Sequence, residues 1–425
     1  MAPEPIRVLH FADLHIGMEA HGQIDPQTGL NRRVVDFLCA FDRIVEYAIE
    51  NEADLVLFCG DAFKNRDPSP TYLREFAVRL RRLLEAGLPV FLLVGNHDLP
   101  GTEKRATPLD VFGEFRSLLR GGEGLIVGRR EDVHRIDTRR GPLQVIAMPF
   151  PVRSRLLKDE AWRNLPPEEL DHQLRETLHA VLQHLLKTKI DPALPTIVAG
   201  HFSVPPTEAI YGSERQVMIG YDVVLPPSMF RHPAIDYVAL GHIHKHQAVG
   251  DGAPPIVYSG SVERVDFSEE GEPKGFCWVE VRRGDARWRF VELPARRFFT
   301  LELDLRRDAD PEMAAIAKIR DRTVQTQIRE AVVRARIHIR PEQAERLREA
   351  RLREALEKAG AFYVSSLQIK QEESVRSRIS LREMESLTPL DLLARYFESQ
   401  DPPADPRRRE QLLRLAEQLM REEEP

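Results

Sequence analysis

Cysteine is scarce in this 425-residue chain, and Cys39, Cys59 and Cys277 are odd in number and scattered, with no CxxC pair. Neither a disulfide framework nor a thiolate zinc site is expected, and a reducing, cytoplasmic compartment follows. Long hydrophobic runs are also missing. No stretch approaches the roughly 20 uninterrupted apolar residues that a bilayer span needs, so no membrane association is expected. The apolar stretch Ile6–Phe11 comes without a basic region or small-residue cleavage site before it, so secretion is not expected. Excess basic charge is lacking too. A net charge of −6 argues against a generic polyanion binder, and composition alone would not suggest nucleic acid. The short basic pairs, such as Arg81–Arg82 and Arg139–Arg140, read as solvated surface charge.

What is present is a chain long enough for two or three domains, 42% hydrophobic. As far as about Pro294, short apolar runs alternate with helical periodicity: Val8–Phe11, a helix from about Arg33 to Glu50, Leu55–Phe58, a helix from about Thr71 to Ala86, then Val90–Val94. Further strands are expected at Gln144–Met148, Thr196–Ala199, Tyr237–Leu240, Ile256–Tyr258 and Gly275–Val281. Runs such as LVLF and VFLLV are apolar on both faces, which predicts central strands covered by helices on both sides, an α/β sandwich. The stretch Leu165–Thr188 reads as a helix with a leucine stripe, and His172, His179 and His184 on it read as surface histidines.

A second, small α/β unit begins near Phe298, with strands Phe299–Leu305, Val332–Ile339 and Phe362–Ile369 and helices Pro311–Arg322 and Pro341–Lys358. It carries no catalytic-looking cluster. The domain boundaries read from the sequence are 1–294, 295–375 and 386–425. The last piece holds two short helices, Pro389–Phe397 and Glu410–Arg421, separated by the linker Asp401-Pro-Pro-Ala-Asp-Pro. The apolar stripe Leu412, Leu415, Ala416, Leu419 packs on its own domain or binds a partner.

The strongest signal is where acidic and imidazole residues stand relative to the strands. Asp13 and His15 follow the first strand, Asp61 the second, and Asn96, His97 and Asp98 the third; His201 follows Thr196–Ala199, and His242 and His244 follow Tyr237–Leu240. The carboxyl ends of strands in an α/β sheet line one rim, so these residues should converge. Glycines before Asp61, Asn96, His201 and His242 would let the backbone turn off each strand. Mixed oxygen and imidazole donors suit borderline divalent ions, Mn²⁺ first among them. Seven candidate ligands, with one carboxylate able to bridge, point to two ions about 3.5–4 Å apart, suited to in-line phosphoryl displacement. A neighbouring histidine that does not ligate would protonate the leaving oxygen.

The series Asp13-Leu14-His15, Gly60-Asp61, Gly95-Asn96-His97-Asp98, Gly200-His201 and Gly241-His242-Ile243-His244 resembles the calcineurin-like metallophosphoesterase superfamily over roughly the first 260 residues. Within it, Ala12–Gly17, Gly60-Asp61-Ala62-Phe63, Tyr258–Arg264 and Lys274-Gly275-Phe276 look most like the SbcD family, nuclease subunits of bacterial SbcCD complexes. That resemblance implies a four-layer β-sandwich flanked by helices, with a small α/β capping domain governing DNA access and a C-terminal helical hairpin. It implies a two-metal, manganese-dependent DNA exonuclease and endonuclease for double-strand-break repair. Asp13, His15, Asp61 and His244 would hold one ion and Asp61, Asn96, His201 and His242 the other, with Asp61 as the bridge. His97 would be the catalytic group, oriented by Asp98. The implied partners are DNA, an SbcC-type coiled-coil ABC ATPase docked through the C-terminal helices, and a second copy of the chain, with Thr71–Ala86 or Thr107–Leu119 supplying the dimer helix. Lys64 stands where archaeal relatives carry a histidine and could contact a phosphate. His246 has no matching role. The readings weighed against this one are a small-molecule or phosphoprotein phosphatase of the same superfamily, and a metal-free DNA-tethering scaffold.

Overall fold

The computed structural model describes residues 4–100, 105–114, 124–152, 165–205, 223–371, 388–398 and 406–422. Two compact units divide the chain: Met1–Phe299 with Gln327–Val333 and Gly360–Ser365, and Thr300–Thr326 with Arg334–Ala359 and Ser366–Pro425.

The first unit is built on two six-stranded sheets. One holds β1 (Ile6–Phe11), β2 (Leu55–Phe58), β3 (Val90–Leu93), β4 (Leu125–Gly128), β11 (Lys274–Arg282) and β12 (Asp285–Leu293), in the order β12-β11-β1-β2-β3-β4. The four strands from β1 to β4 run parallel, and the hairpin of β11 and β12 adds antiparallel to β1. The other sheet holds β5 (Asp132–Thr138), β6 (Gly141–Met148), β7 (Thr196–His201), β8 (Tyr237–Gly241), β9 (Gln247–Ala248) and β10 (Ile256–Tyr258), in the order β5-β6-β7-β8-β10-β9. Its four middle strands are parallel, and β5 and β9 are antiparallel edges.

Period-two alternation decides how the layers stack. Val56 and Phe58 of β2, with Val90 and Leu92 of β3, join the core under α1 (Arg32–Glu50) and α2 (Pro70–Glu85). Leu55, Leu57, Phe91 and Leu93 point the other way, to meet Leu143, Val145, Ile197, Tyr237 and Ala239 of the second sheet. Val198, Val238 and Leu240 then face the helix Pro167–Thr188 through Leu174, Leu178, Leu182, Leu185 and Leu186. The layers are helix, sheet, sheet, helix. The expectation of helices on both faces of each central strand is therefore corrected: one face meets helix and the other meets the second sheet. Apolarity on both faces cannot tell these two covers apart.

The helices start where side chains can cap them. Asn31 accepts from the Arg33 N–H and Ser69 from the Tyr72 N–H, with Pro70 in the first turn of α2. Phe37, Phe41, Ile44, Val45 and Ala48 then bury one stripe of α1. Strands β4, β5, β9 and β12 escape sequence reading because, apart from β4, they are polar edge strands: Asp132–Thr138 is DVHRIDT and Asp285–Leu293 is DARWRFVEL. Of the helix expected near Thr107–Leu119, α3 (Asp110–Glu114) is described and residues 115–119 lie outside the described part.

A third sheet is ordered β13 (Phe298–Asp304), β14 (Val332–Ile339), β15 (Tyr363–Gln371). The helix expected over Pro311–Arg322 is two, Pro311–Ile319 and Arg322–Ile328, because Asp321 caps the Thr323 and Val324 N–H groups and starts a new turn. The helix expected over Pro341–Lys358 breaks at Leu347 and Arg348, where Arg348 turns its N–H and guanidinium to Glu312. Near the C-terminus the described helices are Pro389–Glu398 and Pro406–Glu422; linker residues 401–405 lie outside the described part. No helix among the described residues is long and apolar enough to cross a membrane.

Candidate metal centre

The carboxyl ends of β1, β2 and β3 in one sheet and of β7 and β8 in the other meet at one edge of the sandwich, so the rim expected of a single sheet is shared by two. After β1 and β2 leave their sheet they keep pairing: Asp13 N–H donates to the Gly60 carbonyl, His15 N–H to Asp61 and Ile16 N–H to Ala62, each at 3.0 Å. These bonds hold a strained backbone. Asp13, His15, Asp61 and His242 have φ of 54°, 41°, 61° and 90°, a region that costs non-glycine residues of order 1–3 kcal/mol each.

Of the glycines expected to provide turns, only Gly60, at φ +97°, does so. Gly95, Gly200 and Gly241 lack a positive φ and serve close approach instead. A Cβ on Gly95 would lie 2.2 Å from Asp61 Oδ1, and one on Gly241 2.2 Å from the Cys59 carbonyl oxygen.

Asp61 stands at the centre. Its Oδ2 lies 3.3 Å from His201 Nε2 and 3.8 Å from His15 Nε2, and its Oδ1 accepts the His97 N–H at 2.8 Å. Burial opposes its ionisation, but the imidazoles of His201, His97 and His15 outweigh burial and hold the carboxyl well below the usual range. On one side of it, His15 Nε2 and His244 Nε2 converge to 3.0 Å, and Asp13, His15 and His244 offer ligand atoms within 4.8 Å of one another. The Asp13 carboxylate also accepts the His242 N–H at 3.1 Å, and burial pushes its pKa up. On the other side, Asn96 Oδ1 lies 2.9 Å from His201 Nε2 and 3.1 Å from His242 Nδ1. Asp13, Asp61 and His201 form a second group of ligand atoms within 4.8 Å. His201 Nδ1 faces the Cys59 carbonyl at 2.6 Å. Burial disfavours its proton, yet Asp61 raises its pKa to about 9. Two carboxylates and several imidazoles converging in a buried recess fit a divalent cation, whose charge would replace such protons.

His97 also belongs here, since His15, Asp61 and His97 form a third such group. Its ring stands edge-on to that of His15, with centroids 4.9 Å apart. The expected orienting bond from Asp98 is corrected. His97 Nδ1 bonds the Lys64 carbonyl at 2.8 Å, while Asp98, buried, accepts the backbone N–H groups of Asp61 at 2.9 Å, Gly95 at 3.0 Å and Ala62 at 3.0 Å. Burial and then the charge of Asp61 push the Asp98 pKa up to about 7. Asp98 thus clamps two loops together rather than a ring. The Lys64 ammonium contacts Met18 Sδ at 3.4 Å. His246 bonds the Tyr258 carbonyl and stacks on Phe290 at 4.1 Å, apart from the ligand groups. His172, His179 and His184 are exposed on their helix.

Sequence reading missed Glu269, whose Oε1 lies 2.9 Å from His244 Nδ1, and met the buried Lys274 bonded to it only as part of the motif Lys274-Gly275-Phe276, with no role assigned. Glu269 sits in the run Ser268-Glu269-Glu270-Gly271, which looks like solvated loop charge, so no local signal marks it.

Comparison with known proteins agrees with this geometry. The model of the calcineurin-like phosphoesterase family matches residues 6–246. The SbcD subunit of the SbcCD nuclease of Rhodobacter capsulatus is 28% identical over 302 residues, 68% of this chain and 69% of the relative. DNA double-strand break repair protein Mre11 of Archaeoglobus fulgidus is 27% identical over 320 residues, covering 70% and 62%, and the SbcD subunit of the SbcCD nuclease of Escherichia coli K12 is 27% identical over 288 residues, covering 66% of each. The chain therefore spans about two thirds of the length of these relatives. The family model takes in more than half of the 425 residues and every residue that converges on Asp61 up to His244, so the chain belongs to the calcineurin-like phosphoesterase family, metal-dependent esterases of phosphate.

Proposed function

We propose that this protein is a manganese-dependent DNA exonuclease and endonuclease, hydrolysing phosphodiester bonds with two metal ions as the nuclease subunit of an SbcCD-type double-strand-break repair complex. The observation that carries the reading is the convergence of carboxylates and imidazoles on Asp61 at the shared rim. Asp13, His15, Asp61 and His244 would hold one ion, and Asp61, Asn96, His201 and His242 the other. Ions held there supply Lewis acidity and a water-derived nucleophile at neutral pH. The chain's own residues do the rest. Asn96 and the two flanking imidazoles orient the phosphate-binding side, and His97, whose Nδ1–H donates to the Lys64 carbonyl, turns Nε2 to the site, where the imidazolium form would pass the Nε2 proton to the leaving oxygen and be left as the neutral ring.

The names of the relatives support DNA as the substrate and a second subunit of an SbcCD-type complex as the partner, which the family resemblance makes a coiled-coil ABC ATPase. Residues 295–375 would act as the cap that governs DNA access. Segment 386–425 would dock the ATPase, and Leu412 and Leu415 on helix Pro406–Glu422 are exposed large apolar side chains suited to that. Association into a homodimer and a cytoplasmic site of action complete the proposal, the latter supported by three free thiols.

The test is cleavage of linear duplex and hairpin DNA by the full chain, with and without Mn²⁺, the partner ATPase and ATP. Mn²⁺-dependent cleavage that Asp61→Ala abolishes is expected. Intact DNA in every condition, alongside rapid turnover of nucleotides or phosphopeptides, would replace this reading with a phosphatase.

A further inference from the structure

Behind His244, on the side away from Asp13 and His15, lies a buried ionic cluster that an esterase site does not by itself require. Glu269 ends the one-turn helix Phe267–Glu269, which Asp266 caps by accepting the Ser268 N–H at 2.7 Å. Its Oε1 faces His244 Nδ1 at 2.9 Å. Its Oε2 accepts the Val265 N–H at 3.0 Å and the Lys274 ammonium at 2.8 Å. The side chains of Lys274 and Glu269 are both 0% exposed. Lys274 also donates to the His244 carbonyl and to Glu272 Oε2, each at 3.1 Å, and Arg264 ties the Glu269 and Glu272 carbonyls at 3.1 Å and 2.6 Å. Buried ion pairs are poor sources of stability compared with apolar packing, so this full set of partners points to a task other than holding the core.

We propose that Glu269, itself held by Lys274, is a positioning residue of the metal centre that fixes the tautomer and ring plane of His244. A carboxylate accepting from Nδ1–H leaves Nε2 as the lone-pair nitrogen, and that is the atom converging with His15 Nε2 at 3.0 Å. The negative charge behind the ring also makes Nε2 a stronger donor to a cation. His201, across Asp61, has the neutral Cys59 carbonyl behind its Nδ1 among the described residues. The two halves of the centre are therefore backed unequally, and Glu269 serves the Asp13, His15 and His244 half alone. This inference rests on the metal reading given above.

Mn²⁺ titration of the EDTA-stripped full chain by calorimetry tests it, read together with the melting temperature in EDTA. Two binding events are expected of the wild type. Glu269→Gln should weaken one of them about 10- to 100-fold and leave the other within about threefold. Glu263→Gln is the control: Glu263 is a buried carboxylate of the same loop that accepts the Arg264 and Arg296 N–H groups and touches no ligand. It should lower the melting temperature and keep both affinities. Glu269→Gln with both affinities unchanged overturns the proposal, as does a Glu269→Gln that weakens both events only in step with its melting temperature. Should Glu269→Gln fail to fold, Glu269→Asp is read by the same criteria. A wild type that binds no Mn²⁺ overturns the metal reading itself, an outcome distinct from equal binding by wild type and variant.

Discussion

Replacing Asp98 with alanine separates a loop clamp from a catalytic orienting group. The carboxylate is fully buried and accepts three backbone N–H groups, those of Asp61, Ala62 and Gly95. Each buried donor left without a partner costs about 1–3 kcal/mol, which sets an upper sum near 9 kcal/mol. The vacated space can admit a water that satisfies one or two of them, which brings the expected loss to about 3–5 kcal/mol. For a unit of this size that corresponds to a fall in melting temperature of roughly 5–8 °C. Asp98→Asn should cost less, about 1–3 kcal/mol, because its amide oxygen can keep two donors and only one faces the NH₂ group. His97→Ala removes one bond to the Lys64 carbonyl and should cost only about 1 kcal/mol. The measurement is a calorimetric melt in EDTA, where metal ligation cannot contribute. A melting temperature for Asp98→Ala within about 1 °C of the wild type would show that the three N–H groups are satisfied otherwise, and the clamp would be refuted.

Further expectations follow from neighbouring features. Gly95→Ala places a Cβ 2.2 Å from Asp61 Oδ1 and should cut metal-dependent phosphodiester cleavage at least about 100-fold in a protein that still folds; cleavage at the wild-type rate would refute the close-approach argument. Leu57→Ala, at a fully buried position between the two sheets, should destabilise by about 2–5 kcal/mol in urea unfolding, whereas a loss below about 1 kcal/mol would mean that the sheets are loosely packed there. The metal-free protein should lose stability as the pH rises from 6.5 to about 9, because the folded state raises the pKa of His201 to about 9. The sign follows from a cation whose folded pKa exceeds its unfolded one: its contribution is complete below 6.5 and gone above about 9. Asp61→Asn should flatten that slope in melts run across this range.

Much of the centre was legible in the chain because its evidence is local. A strand ends where its apolar run stops, and the residue at or just beyond that end, whether Asp13, Asp61, Asn96, His201 or His242, is fixed by counting along the backbone. The chemistry of carboxylate, amide and imidazole then narrows what such a rim can bind. The motif spacing also pointed to the family.

Other features were set only when distant segments met. Which of two covers lies over a strand face depends on whether a helix or another sheet arrives there, and Leu57 looks the same to either. Asp98 is three residues from Gly95, but its other two donors are 36 and 37 residues away, so its work as a clamp has no local signature. Glu269 reaches His244 across 25 residues from a stretch that reads as solvent-exposed charge. The chain by itself determined which side chains stand at strand ends and what they can ligate, since periodicity and donor chemistry are properties of short segments. Tertiary structure alone decided that two sheets share the rim and that a buried carboxylate stands behind His244, since each depends on pairings that no short segment contains.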